Sequence, residues 1–545
     1  MKVVIVGGVA GGASAAARLR RLDESAEIII LERGNFVSFA NCGLPYYIGS
    51  VITKPTSLTL QTPQSFKNRF NIEVRTLNEA VKINTDDNAV EVKKLETGEI
   101  YIENYDYLVL SPGAEPVKPA IEGVDSDIVF TLRNIPDTFK IKNFIEQNNP
   151  KSAVIVGGGY IGLEMAENLK GQGIDVSIVE AADHLISPLD FDMACQAQEY
   201  IIKKGIKLYL NSTVKAIDNN TVILENEKIN TDMIILSVGV RPETAFLKDS
   251  KISLTQKGCI KVDNKMQTNI ENVYAVGDAI EVDNFITNKK DFIPLAGPAN
   301  KQGRIAADNI CKLSSEYKGT QGSSILKFFD LTVATTGINE KTATKLNIDY
   351  DKTYTYHSSH ASYYPGGNNM NIKALWDKKT LKILGAQIVG FDGVDKRMDI
   401  LATAIRLGAK ITDLAQLELC YAPPFTSAKD PVNMLGLVAE NVVTKKVKQF
   451  FWHDIDNLPR DNSVILLDTR TEYEYQEGRI EGFINIPLDE LRNRLDELDK
   501  TKTIYVHCRS GFRSYIACRI LSGYGYNCFN LAGGFRFYEV IKSQS

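Results

Sequence analysis

The sequence has no CxxC pair, no long apolar run and almost no excess charge of either sign. Each absence narrows what the chain can be. With 63 basic against 67 acidic residues the net charge is −4, which gives no basis for a nucleic acid or an acidic membrane surface as partner. No stretch reaches the roughly 18–20 apolar residues that a membrane span needs. Eight scattered cysteines without CxxC spacing argue against a metal site of the zinc type and against a disulfide scaffold, so a reduced, cytoplasmic location is expected. The strand-like run Val3 to Val6 follows Met1 so closely that no secretory signal is expected. The 545 residues are too many for one core, and three to five domains are expected.

What is present begins at once. "KVVIVGGVAGGASAAARLRRL" reads as a buried β-branched strand, a glycine turn at Gly7 and Gly12, and an Ala-rich helix. The next strand, "AEIIILER", ends on Glu32 and Arg33. Glycines let a backbone approach a pyrophosphate, a helix N-terminus offers free N–H groups, and the acid binds ribose hydroxyls. Val9 replaces the second glycine of the usual frame. A second copy, "SAVIVGGGYIGLEMAENLKGQGIDVSIVEAA", is complete, with Gly157, Gly159, Gly162 and then Glu180. Glu180 repels a 2′-phosphate and no arginine follows it closely, which favours NADH over NADPH.

Two such crossovers imply two dinucleotides. "YDYLVLSPGAEPVKP", "DMIILSVGVRPE" and "ENVYAVGDAIEV" follow in an order that resembles the two-dinucleotide flavoprotein disulfide reductases. The resemblance implies FAD in the first fold and NAD(P)H in the second. It assigns Gly113 and Gly239 to the chain crossings and Asp278 to the FAD ribityl chain. The expected fold class is α/β: two Rossmann-like dinucleotide-binding domains, an α+β dimerisation domain and a further C-terminal α/β domain. The expected boundaries are 1–113 and 246–321 for the FAD domain in two segments and 114–245 for the NAD(P)H domain. A dimer-interface domain over 322–441, a linker over 442–451 and the C-terminal domain over 452–545 complete the chain.

Within "SFANCGLPYYIG", Cys42 stands where the resemblance places the redox cysteine, and Tyr47 stands where a second cysteine would close an internal disulfide. Cys42 therefore either forms a mixed disulfide with a small thiol or cycles through sulfenic acid. Pro45 suggests a helix start, and a helix N-terminus beside oxidised flavin would lower the thiol's pKa.

"SFANCGLPYYIG", "HASYYPGG" and "YAPPFTSAKDPVN" together resemble coenzyme A–disulfide reductases and their persulfide-reducing relatives. That resemblance implies coenzyme A contacts at Ser14, Arg18, Arg21, Ser38, Asn41 and Lys429. It implies a homodimer in which Tyr363 and Tyr421 reach the partner's active site to protonate a departing thiolate, with Tyr364 as the register-shifted alternative.

The chain then restarts. "SVILLDTRTEYEYQEGRIEGFINIP" and "TIYVHCRSGFRSYIACRIL" resemble a single rhodanese domain. The loop "CRSGFR" presents Cys508 among the N–H groups of Ser510 and Gly511 and the side chains of Arg509 and Arg513. This nest is expected to hold a thiolate or persulfide. A Cys-based phosphatase is the competing reading of that loop, and an inactive binding module another. The combined expectation is an NAD(P)H-dependent flavoenzyme that reduces coenzyme A disulfide, persulfide or polysulfide at Cys42, with sulfane sulfur handled at Cys508. The alternatives are an NADH oxidase or peroxidase, and a sulfurtransferase platform with a regulatory flavin part.

Overall fold

The structure, a computed structural model, describes residues 1–544, which form two compact units. The first holds residues 1–183 and 205–322, the second residues 184–204 and 323 onward. No helix among the described residues is long and apolar enough to cross a membrane.

The first unit contains two parallel five-stranded sheets built on one plan. In the first, the Lys2–Val6 strand lies between Glu27–Glu32 and Tyr107–Leu110, with Glu73–Thr76 and Val273–Ala275 at the edges. In the second, Ser152–Val156 lies between Asp175–Val179 and Met233–Leu236, with Lys207–Tyr209 and Val129–Thr131 outside. The central strands are fully buried on both faces, as the unbroken runs of Val and Ile require. A short antiparallel pair, Ala114–Pro116 with Val240–Pro242, runs just after Gly113 and Gly239.

The second unit contains an antiparallel sheet and a parallel one. The antiparallel sheet runs in the order Ser324–Phe328, Leu331–Gly337, Ile383–Gly390, Asn369–Asp377, Tyr350–Ser358. The parallel sheet runs Lys448–Phe450, Cys528–Leu531, Thr503–His507, Val464–Asp468, Ile484–Asn485. Residues 442–451, expected as a linker, instead complete the Pro431–Val443 helix and supply Lys448–Phe450 as an edge strand of the second sheet.

The Phe191–Lys203 helix lies in the expected NAD(P)H segment by sequence but belongs to the second unit. The cause is charge. Lys373, with no exposed side-chain surface, contacts Asp190 at 2.8 Å, Asp192 at 2.9 Å and Glu340. Gln387 donates to Asp190 at 2.6 Å, and Tyr354 and Trp452 donate to Asp192 at 2.5 and 3.3 Å. Burial alone would raise the Glu340 carboxyl, but Lys373 and Lys352 outweigh it and bring it to about 2. The stability this carboxylate contributes is complete above its ordinary value of 4.5 and is lost as the pH falls toward 2.

Removing the ammonium strands three carboxylates, two buried and one half-buried. Lys373→Met is expected to cost about 3–5 kcal/mol of second-unit stability at neutral pH, with less lost at acid pH. Both tryptophans of the chain, Trp376 and Trp452, lie in this unit, so urea unfolding followed by tryptophan fluorescence reads it directly.

Candidate functional site

The two crossovers of the first unit repeat each other atom for atom. Gly7 and Gly157 have φ of +93° and +105°, a region that L side chains rarely adopt. A Cβ on Gly7 would sit 2.1 Å from the Ser111 carbonyl oxygen, and one on Gly157 2.4 Å from that of Ser237. Five residues on, a Cβ on Gly12 or Gly162 would strike the carbonyl of Gly7 or Gly157. The Glu32 carboxylate accepts from Gly8 N–H at 2.9 Å and Gly34 N–H at 2.8 Å. Glu180 accepts from Gly158 at 2.7 Å and Ala182 at 2.9 Å. Each crossover thus keeps an acid beside bare glycine backbone at a helix start, which fits a dinucleotide's ribose and pyrophosphate. Gly159 is the residue at which the second helix begins and has open space about it. Arg33 pairs with Glu243. Asp278 is half-buried; burial pushes its carboxyl up and Arg133 only partly opposes this.

Cys42 lies in a 3-10 turn, Asn41–Gly43, directly before the short helix Leu44–Ile48. That helix packs against Ile135–Asn148 and Tyr160–Gly171. Tyr47 is buried there, its ring edge-on to Phe139 and beneath the Lys142 ammonium. Ser38 has φ +47° and donates its N–H to the Gly8 carbonyl, which ties the cysteine loop to the first crossover. The expected lowering of the Cys42 pKa is not produced by the protein groups. Burial pushes the thiol up, and the carboxyls of Glu164 and Asp278 push it further, while the five-residue helix is too short to offset them. Glu164, which the sequence reading missed, is raised to about 7, chiefly by burial; Tyr46 donates to it at 3.4 Å and Glu167 adds like charge.

The expected coenzyme A contacts are placed as follows. Ser14 donates to Asn300 at 2.5 Å, and Arg18 is engaged with Asp308 at 2.6 Å, so Arg18 is not a bare cation. Arg21, one turn along, is exposed, as is Lys429 in the second unit.

In the second unit Tyr363 and Tyr421 are brought together, their hydroxyls 2.8 Å apart across 58 residues of sequence. They are 72% and 49% exposed, far more than an ordinary core tyrosine. Tyr364 instead turns its ring edge-on to His360.

Cys508 is buried at the end of the Thr503–His507 strand. Its sulfur accepts from the Gly511 N–H and from the Ser514 hydroxyl, both at 3.2 Å. Ser510 and the cysteine's own carbonyl lie against Gly534, where a Cβ would come within 2.7 Å of both. The two arginines of the loop share one counter-ion. Arg513 forks onto Glu474 at 2.6 and 2.7 Å, and Arg509 lies 3.9 Å from the same carboxylate. The Arg513 hydrogen bonds bring Glu474 to about 2, so the loop's positive charge is partly neutralised. Behind it His507 is fully buried, 3.5 Å from Asp468, and burial holds it neutral at about 4.

Residues 1–303 match the pyridine nucleotide-disulphide oxidoreductase family, 323–431 its dimerisation domain and 452–539 the rhodanese-like domain. The coenzyme A disulfide reductase of Staphylococcus epidermidis is 38% identical over 441 residues, 81% of this chain and the whole of that protein. The crystal structure of reduced Bacillus anthracis CoADR-RHD is 48% identical, with a TM-score of 0.98 over 100% of this chain and 98% of that one. An NAD-dependent persulfide reductase from A. fulgidus is 34% identical, with a TM-score of 0.92 over 98% of this chain and all of that one.

If the Glu164 carboxylate raises the Cys42 thiol, Glu164→Gln makes that thiol more acidic. Alkylation of Cys42 by iodoacetamide at pH 8, followed by peptide mass spectrometry, is expected to run faster than in the parent protein.

Proposed function

As this chain belongs to the pyridine nucleotide-disulphide oxidoreductase family, we propose that it uses NADH, in preference to NADPH, to reduce coenzyme A disulfide or coenzyme A persulfide through the single thiol of Cys42. The observation that carries the reading is the absence of any local partner for that thiol: Tyr47 occupies the position and is packed into the interior.

The chain's residues divide the work. Gly7, Gly12 and Glu32 hold FAD, with Arg33 beside them and Asp278 on its ribityl chain; Gly157, Gly159, Gly162 and Glu180 hold the nicotinamide dinucleotide. Bound FAD supplies the relay by which an electron pair from NADH reaches sulfur. Cys42 thiolate attacks one sulfur of coenzyme A disulfide, forming a Cys42–S–S–coenzyme A bond and releasing coenzyme A thiolate. With coenzyme A persulfide, attack on the sulfur bearing the coenzyme A arm releases hydrosulfide instead. Two electrons and one proton then cleave the mixed disulfide to Cys42 thiolate and coenzyme A thiol. The paired phenols of Tyr363 and Tyr421, acting across a homodimer, hold the proton for the departing thiolate. Ser38, Asn41 and Lys429 border the pantetheine arm, and Ser14, Arg18 and Arg21 the nucleotide end. Arg18 serves only after giving up part of its contact with Asp308.

Cys508 carries sulfane sulfur, received as a persulfide and stabilised by Gly511 N–H and Ser514 Oγ–H. With Glu474 neutralising much of the arginine charge, a thiol-bound persulfide suits this loop better than a doubly charged thiosulfate.

Separate thiols imply separable losses. Cys42→Ser is expected to abolish NADH oxidation driven by coenzyme A disulfide, while Cys508→Ser leaves it within about twofold and abolishes persulfide transfer. Mass spectrometry of the native protein is expected to find a coenzyme A-sized adduct, released by reductant, on the peptide containing Cys42. Oxygen or peroxide turnover that exceeds disulfide turnover, with no such adduct, would move the assignment to an oxidase or peroxidase.

A further inference from the structure

Tyr363 and Tyr421 sit on two loops with no sequence continuity, yet their hydroxyls meet at 2.8 Å. What sets that meeting lies beneath them. The first loop is closed at its foot by Ser359, whose N–H donates to the Asn368 carbonyl at 2.7 Å and whose hydroxyl accepts from Asn368 N–H at 3.2 Å. The second ends in Thr426 and Asp430, where Asp430 caps the Pro431–Val443 helix through Val432 N–H at 2.9 Å. A single side chain joins the two feet. Arg397, on the Val394–Arg406 helix and 1% exposed, donates to the Ser359 carbonyl at 2.7 Å. The same Nη2 reaches Thr426 Oγ1 at 2.9 Å and Asp430 Oδ2 at 2.9 Å, and Nε reaches Asp430 Oδ2 at 3.2 Å. Thr426 in turn donates to Asp430 at 2.6 Å.

We propose that Arg397 is a positioning residue for the reductase reaction: its buried guanidinium staples the Ser359 and Thr426–Asp430 loop feet together and so fixes the tyrosine pair. Stability alone does not account for the arrangement. A buried ion pair is a weak source of net stability, and the guanidinium spends its donors on two separate loops as well as on its counter-ion. Both loops present exposed aromatics above the staple, Phe425 at 70% as well as the two tyrosines. A planar fork joins three acceptors at once; a lysine ammonium keeps the charge against Asp430 and loses that geometry. The inference rests on the proton role proposed above for the tyrosines.

The test is a double-mutant cycle on the full-length protein with NADH and coenzyme A disulfide. Arg397→Lys is expected to lower kcat about ten- to a hundredfold, with KM for both substrates, FAD content and thermal midpoint close to those of the parent. Tyr363→Phe is expected to lower kcat by a similar factor, and the double variant by no more than either alone. If Tyr363→Phe lowers kcat but Arg397→Lys does not, or the two losses multiply, Arg397 does not act through the pair and the inference falls while the tyrosine role stands. If Tyr363→Phe is silent, the tyrosine role falls and the inference with it. Should Arg397→Lys not fold, Thr426→Val, which keeps the volume and removes the hydroxyl shared by Arg397 and Asp430, carries the same cycle: a smaller loss that does not add to Tyr363→Phe supports the staple, and no loss or an additive one overturns it.

Discussion

In the mechanism proposed above, a redox thiol with no second cysteine in its own loop sets the terms for everything else. Two electrons arriving at sulfur need a disulfide to break, and the helix that follows Cys42 offers Tyr47, buried between Phe139 and Lys142, in place of the missing cysteine. The oxidised partner must come from outside and be held long enough to react. That requirement makes sense of a cysteine loop tied by Ser38 to the first crossover. It also makes sense of a pair of exposed phenols whose hydroxyls bond to each other.

The second unit solves a different problem, that of joining a rhodanese-like domain to a scaffold without a flexible hinge. Lys373 gathers carboxylates from the Phe191–Lys203 helix region and from Glu340, and Trp452 donates into the same cluster from the start of the rhodanese-like segment. On the far side of that segment, the Arg536 guanidinium lies over the Tyr356 ring at 4.8 Å, while its backbone N–H holds the Arg509 carbonyl of the Cys508 loop. The Cys508 loop and the strand that leads toward the Tyr363 loop are therefore neighbours through one arginine.

How much of this could be read from sequence depended on range. The two crossovers were legible because sterics over a few residues dictate them: Gly7 needs positive φ, Gly12 must clear the Gly7 carbonyl, and the acid follows at a fixed distance. The Cys508 loop was legible for the same reason. Partners set by the fold were not. Tyr46 and Glu164 are 118 residues apart, Arg513 and Glu474 are 39 apart, and neither side chain announces the other. Glu474 sits in plain view within "TEYEYQEG", but only the folded chain shows its carboxylate accepting from both arms of Arg513. Composition misled at 442–451, where Lys and Thr look like a connector although Phe450 is buried as part of a strand.

That strand carries a further consequence. Lys448–Phe450 pairs in parallel with Cys528–Leu531 and so covers the row of amide and carbonyl groups along one rim of the sheet. A fragment cut at Trp452, where the family boundary falls, would leave that rim bare. An open rim of a mostly buried sheet is a template for other chains, and such a fragment would be prone to self-association. The natural place to separate the rhodanese-like domain from its scaffold lies upstream of Lys448.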